Sequence, residues 1–309
     1  MTPRLLTHGA LLLLVLIWGT TWAAIRIGLE GIPPFTGVAL RFAIASVILL
    51  AAARLLGVSL QTEPRARILG AVNGLLSFSV SYGVVYWAEQ WVPSGLAAVL
   101  FATFPLFVAG LAHFLLPGER LGVLGATGIV LGFVGVLVLV SEDLANAAGQ
   151  GVTLVALVFL VSPLAVAVAN VVIKRWGEGI HSFSLNALPM AGTALLMGGL
   201  AVLTESHAQV TLDRRSVAAL LYLSVAGTAV TFLIYFWLLS RLRATRLALI
   251  TYGIPVVAVL VGRLFLDEPF TPRMAAGTLL ILLGVVLAMR ERRVPDPPLP
   301  PVADCRSAS

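Results

Sequence analysis

Ten long apolar runs, separated by short polar or turn-forming joins, account for almost the whole chain: 8–28, 35–56, 68–88, 93–116, 121–140, 152–174, 183–204, 216–239, 244–266 and 272–290. A helix needs about 20 apolar residues to cross about 30 Å of hydrocarbon, and each run is of that length. The joins carry breakers and charges, among them Gly31-Ile32-Pro33-Pro34, Glu63-Pro64-Arg65, Val92-Pro93-Ser94, Pro117-Gly118-Glu119-Arg120 and Asp267-Glu268-Pro269. The pattern predicts an all-α polytopic membrane protein with ten transmembrane helices. Arg4 precedes the first run as it would in a secretory leader, but the run continues through Trp18 and Trp22 to Gly28 and is read as a spanning helix. After Arg290, five prolines between Pro295 and Pro301 predict a disordered tail over 291–309.

Composition agrees with this pattern. The 309 residues are 59% hydrophobic and 11% charged, against roughly 45–50% and about 25% in soluble domains, which excludes a soluble globular protein. The net charge of +6 would suit a nucleic-acid binder, but the arginines cluster between apolar runs, where they set membrane orientation instead. With the N-terminus in the cytoplasm, 13 basic residues fall on inner segments and three on outer ones. Both termini are therefore expected inside a bacterial inner membrane. Cys305, the single cysteine, can form no internal disulfide.

The two halves of the chain repeat. Tyr86-Trp87 matches Phe236-Trp237 and Phe104-Pro105-Leu106 matches Ile254-Pro255-Val256 at an offset of 150, while Glu119, Gly128 and Gly135 match Glu268, Gly277 and Gly284 at 149. The predicted units are 8–140 and 152–290, five helices each. An odd number per unit inserts the second upside down, the inverted arrangement from which alternating access is built.

Three motifs give a resemblance. Ile17-Trp18-Gly19-Thr20-Thr21-Trp22, Leu40-Arg41-Phe42 and the stretch from Ala88 to Phe107 make the chain resemble the EamA-type permeases of the drug/metabolite transporter superfamily over residues 8 to 290. The Leu-Gly-Glu pattern that closes each repeat of that family stands here as Pro117-Gly118-Glu119 and Leu266-Asp267-Glu268, each with one departure. The resemblance implies export of amino acids and related metabolites, with no cofactor. Nucleotide-sugar exchange on the same fold is the alternative, although a single lysine offers little to hold phosphate. A membrane-embedded enzyme or a sensor is a third reading. The sequence carries no Walker loop, no His-Glu-x-x-His pair and no Gly-x-Ser-x-Gly elbow.

Candidate site residues follow from the cost of placing polar groups in hydrocarbon, about 2.5 to 3.5 kcal/mol for a charge at mid-helix. Arg41 lies inside the second run, with Arg26 and Glu89 near the outer ends of the first and third. As a cluster they would gate the path or hold a carboxylate; as bland structure they would be interfacial side chains and a pair partner. Trp18 with Trp22, and Tyr82 with Tyr86, stand four apart on single helix faces, and Asn73, Asn170, Tyr235 and Tyr252 complete the candidate pore lining. Tryptophan and tyrosine also anchor helices at the interface, and that reading suits Trp87, Trp91 and Trp176. Pro105 and Pro255 are expected to kink the fourth and ninth helices, as packing devices or hinges. No carboxylate stands at mid-helix, which leaves Glu89 as the nearest proton carrier.

Overall fold

The computed structural model describes residues 3–91, 94–117, 119, 122–139, 155, 158–205, 209–248, 250–265 and 272–290. Among these residues, ten helical rods follow one another. They are α1 (Pro3–Leu29), α2 (Pro34–Leu55), α3 (Pro64–Ala88), α4 (Ser94–Phe101 and Phe104–Leu115) and α5 (Val123–Leu139). The second half comprises α6 (Val161–Trp176), α7 (Ser182–Thr204), α8 (Arg214–Arg241), α9 (Ala244–Ala248 and Ile250–Phe265) and α10 (Pro272–Arg290). The expected outer loop with Glu142 and Asp143, and the tail 291–309, lie outside the described residues. Large apolar side chains such as Leu12, Leu55, Leu195 and Leu203 point outward, while the polar residues Arg41, Asn73, Asn170, Asn186 and Thr228 are buried. That distribution is the inverse of a water-soluble fold and fits a lipid environment.

Local chemistry sets where the rods begin. Proline opens α2, α3 and α10 at a position where its missing N–H has no helical partner to lose. Asp213 caps α8, its Oδ1 accepting from the backbone N–H of Arg215 (2.7 Å) and Ser216 (2.9 Å). The bond from the Ser216 backbone leads the effects that hold the Asp213 carboxyl below its ordinary value.

The fourth run is not one unbroken helix. It stops at Phe101 and resumes at Phe104, with Ala102 and Thr103 in a turn. Pro105 has no N–H to give the Phe101 carbonyl, and its ring crowds the preceding turn. Thr103 instead bonds the Leu100 carbonyl through its hydroxyl (2.6 Å), and the Leu106 N–H bonds Thr103 (3.0 Å). Pro255, at the matching place in the repeat, stays inside the helical segment Ile250–Phe265.

The two halves run in opposite directions. α2 and α7 occupy the same place in their halves and lie antiparallel. Glu205, just past the end of α7, accepts from the backbone N–H groups of Phe35 (2.7 Å) and Thr36 (2.8 Å) at the start of α2. At the other end of the pair, Gln61 beyond α2 accepts from the His181 N–H (2.7 Å) before α7. α5 and α10 are antiparallel too and meet backbone to backbone. A Cβ added at Gly135 would lie 2.8 Å from the Gly277 carbonyl oxygen, and one at Gly284 would lie 2.6 Å from the Gly132 nitrogen. The small-residue face Gly128 to Gly132 therefore packs within the chain.

Candidate functional site

The third helix of each half contains a wide turn. α3 is π-helical over Asn73–Val80, and α8 over Val225–Val230. In each, a hydroxyl reaches the carbonyl five residues back: Ser79 to Gly74 (2.9 Å) and Thr228 to Leu223 (2.8 Å). Such bulges leave backbone groups displaced from the regular ladder and often accompany functional sites. Here the displaced groups are put to use. Arg41, on α2 of the first half, donates from Nε to the Thr228 hydroxyl (2.6 Å) and from Nη2 to the Gly227 carbonyl (3.0 Å). Its Nη1 bonds the Tyr86 hydroxyl (3.2 Å), and the guanidinium carbon stands 4.7 Å above the Tyr82 ring. Arg41 is only 1% exposed.

Arg41 forms part of the wall of a cavity of about 90 Å³ between the halves, room for several water molecules. The first half contributes Trp18, Thr21 and Trp22 from α1, Ser77, Ser81 and Tyr82 from α3, and Phe101 and Phe104 from α4. From the second half come Asn170 on α6, Phe232 and Tyr235 on α8, and Thr251 and Ile254 on α9. The aromatic walls interlock: Trp18 sits 5.4 Å from Tyr235 and 5.7 Å from Phe232, and Trp22 meets Phe101 edge-on at 5.8 Å. Asn170 donates to the Tyr235 hydroxyl (2.6 Å). Three buried polar atoms on the wall have no hydrogen-bond partner among the described residues: Trp18 Nε1, Ser77 Oγ and Asn170 Oδ1. An unpaired polar group in a low-dielectric interior costs about 1 to 3 kcal/mol, and a ligand that supplies the partner recovers it.

Of the sequence candidates, Trp18, Trp22, Arg41, Tyr82, Asn170 and Tyr235 meet at this cavity. Tyr86 stands behind Arg41 and holds it. Tyr252 is placed elsewhere, its hydroxyl donating to the Ile129 carbonyl (3.1 Å) and its ring lying over Gly132 of α5. Asn73 is also away from the wall. Its amide donates to the Leu185 carbonyl (2.7 Å), the oxygen that Pro189, inside α7, leaves without an i+4 N–H. Arg26 and Glu89 do come together, but through the backbone: Arg26 donates to the Glu89 carbonyl (2.9 Å). The Glu89 carboxylate is fully buried with both oxygens unpartnered among the described residues. Pro105 and Pro255 flank the cavity through their neighbours Phe104 and Ile254.

Sequence reasoning passed over Gly227, Thr228, Ser77 and Pro189. A hydroxyl five residues after a buried carbonyl in both third helices was the available signal, and it is too short to stand out unaided. Glu205 is absent from the sequence candidates, and Glu119 enters them only through a join, the repeat and its closing motif. The Glu119 carboxylate accepts from the backbone N–H groups of Ala244 (2.9 Å) and Thr245 (3.1 Å) at the start of α9, as Glu205 does at the start of α2. No group of three His, Cys, Asp or Glu side chains able to hold a metal occurs among the described residues.

Lipid-facing rods in two antiparallel halves, around an internal cavity with unpaired polar atoms, define a polytopic membrane transporter. The chain belongs to the EamA-like transporter family, which it matches twice, over residues 6–141 and 153–290. It is 29% identical over 274 residues to the "Uncharacterized transporter YoaV" of Bacillus subtilis, covering 88% of this chain and 92% of that one. It is 30% identical to a "Probable amino-acid metabolite efflux pump" of Escherichia coli over 89% of this chain and 92% of the relative. The "Uncharacterized inner membrane transporter YedA" of Escherichia coli is 33% identical, with coverage of 82% and 81%. A solved crystal structure with 22% identity overlays on 92% of this chain and 97% of its own at a TM-score of 0.77, the same fold.

Proposed function

We propose that the protein is a secondary transporter of the bacterial inner membrane that exports small metabolites, amino acids or amphiphilic compounds, by alternating access. The observation that carries this reading is the cavity between the halves, whose Trp18 Nε1, Ser77 Oγ and Asn170 Oδ1, without partners among the described residues, are set in aromatic walls. The inverted halves supply the motion. Glu205 of the second half clasps the start of α2, and Glu119 of the first half clasps the start of α9. Consecutive rods alternate in direction, so these cross-half clasps stand at opposite faces, and opening either face requires releasing its own clasp. The name of the Escherichia coli efflux pump supports the metabolite class, and the 13-to-3 distribution of basic residues supports cytoplasmic termini.

The test compares intracellular and external metabolites in cells with and without the protein, then follows the leading hit in proteoliposomes with and without a pH gradient. Expected are wild-type flux and its loss in Arg41→Ala at unchanged membrane abundance. Equal metabolite levels and no flux would sink the proposal, and retained transport in Arg41→Ala would remove that residue from the site. Labelling of Cys305 and of a cysteine placed at residue 145 is expected from opposite faces; labelling from one face would refute the inverted topology.

A further inference from the structure

We infer that the substrate carries a single carboxylate, held by Arg41, on an apolar and preferably aromatic body. This inference rests on the transport reading above and names the chemistry that the cavity selects. A guanidinium has five N–H donors. Thr228, Tyr86 and Gly227 take one each, which leaves one further N–H on each terminal nitrogen to offer to a carboxylate.

The Arg41 charge has no bonded counter-ion among the described residues. The Glu89 carboxylate is buried close by, but neither of its oxygens accepts a hydrogen bond from Arg41. A buried cation without a bonded anion is costly, and an incoming carboxylate supplies that anion. Every tie on the guanidinium comes from rigid helix: two from the α8 π-turn, one from Tyr86, with the Tyr82 ring beneath. The fork is therefore set before the ligand arrives, which lowers the ordering cost of binding.

The rest of the wall selects against other charges. Arg41 is the only charged side chain lining the wall among the described residues, so the surface that a ligand meets favours an anion over a cation, and one guanidinium suits one carboxylate better than a phosphate dianion. Trp18 Nε1 can donate to a second carboxylate oxygen or to a polar substituent, and Asn170 Oδ1 can accept from an N–H or O–H. Phe101, Phe104 and Phe232 present apolar faces to the body of the ligand, which the cavity of about 90 Å³ admits by widening as the halves part.

The experiment uses three probes of one shape: 3-phenylpropionate, 3-phenylpropionamide and 3-phenylpropylamine. Binding to the full-length protein in lipid nanodiscs is read by quenching of tryptophan fluorescence, since Trp18 and Trp22 form part of the wall. The carboxylate is expected to bind at least tenfold more tightly than the amide or the amine, and Arg41→Gln is expected to bring it down to the level of the amide. Equal affinities, a preference for the amine, or no saturable binding of the carboxylate would overturn the inference. Should Arg41→Gln fail to fold, Thr228→Val keeps the charge but frees Nε, and is expected to weaken the carboxylate about tenfold with the amide unchanged; a preference untouched in the variant that folds also overturns it. Flux separates this inference from the reading beneath it. A carboxylate that binds but never crosses a liposome would defeat transport and leave Arg41's role standing, whereas a cation carried at a rate indifferent to Arg41 would do the reverse.

Discussion

Arg41 is the eighth residue of α2 and Pro189 the eighth of α7, and each packs against the π-turned helix of the opposite half. Arg41 meets Gly227 and Thr228 of α8. Pro189 meets Gly70 and Gly74 of α3, where a Cβ would lie 3.1 Å from its ring and its carbonyl oxygen respectively. The backbone solution is duplicated but the side chain is not: one copy presents a cation to the cavity, and the other has an apolar ring at the equivalent helix position, beside a wider pocket of about 350 Å³. Inversion thus fixes the scaffold, while the charge on the cavity wall comes from one copy only.

The sharpest way to break this comparison is to fill each glycine. A Cβ at Gly227 would stand 3.0 Å from Thr21 and 3.3 Å from the Arg41 guanidinium. Gly227→Val is therefore expected to displace Arg41 and lower transport on the order of 100-fold, about two tenfold steps of 1.4 kcal/mol each, with membrane abundance retained. Gly74→Ala, at the uncharged copy, is expected to cost about 1 to 3 kcal/mol of stability through overpacking and to leave substrate preference alone. Similar flux in both variants would deny that the copies differ in role.

The next effect concerns Asn73. Its removal strands the Leu185 carbonyl, so Asn73→Ala is expected to destabilise the protein by about 1 to 3 kcal/mol. Pro189→Ala restores the N–H that Leu185 lacks, and in that background Asn73→Ala is expected to be close to neutral. Thermal unfolding of the two single variants and the double variant in detergent measures this coupling, and additive losses would exclude it.

Smaller changes are expected at the clasps. Glu205→Gln and Glu119→Gln each weaken a charge-assisted contact with a helix start, by up to about 2 kcal/mol. They should shift cysteine accessibility in opposite senses, each opening the face where its clasp stands; a shift toward the same face would contradict their placement.

The smallest effect concerns pH. Burial lowers the proton affinity of His181, whose Nδ1 accepts the Phe183 N–H (3.3 Å) at the start of α7. The unfolded chain takes the proton first as pH falls, so the cap's contribution is present above the unfolded His value near 6.5 and is lost below it. His181→Asn keeps a capping acceptor and is expected to flatten that part of the pH–stability profile.

The ten rods were legible because hydrocarbon demands long apolar runs, and Pro33-Pro34, Glu63-Pro64 and Glu268-Pro269 punctuate them. The break in α4 was legible only as a kink, since a proline's position does not tell how far the helix will part around it. Within the site, Arg41, Trp18 and Asn170 were identifiable from the cost of burying them. Asn73 and Tyr252 carry the same signal, yet they satisfy backbone carbonyls elsewhere, because one sequence cannot say which buried face looks into a cavity. The π-turns were illegible for a related reason: Ser79 and Thr228 reveal themselves only when the carbonyl five residues back is seen.

The glycine contact between α5 and α10 has its own consequence. With no side chain between the two helix backbones at Gly135 and Gly284, the last helix of each half is welded to that of the other into a common spine. Neither half has a finished outer wall by itself, and a five-helix fragment produced alone would present a bare glycine seam to the lipid and seek a second fragment to close it.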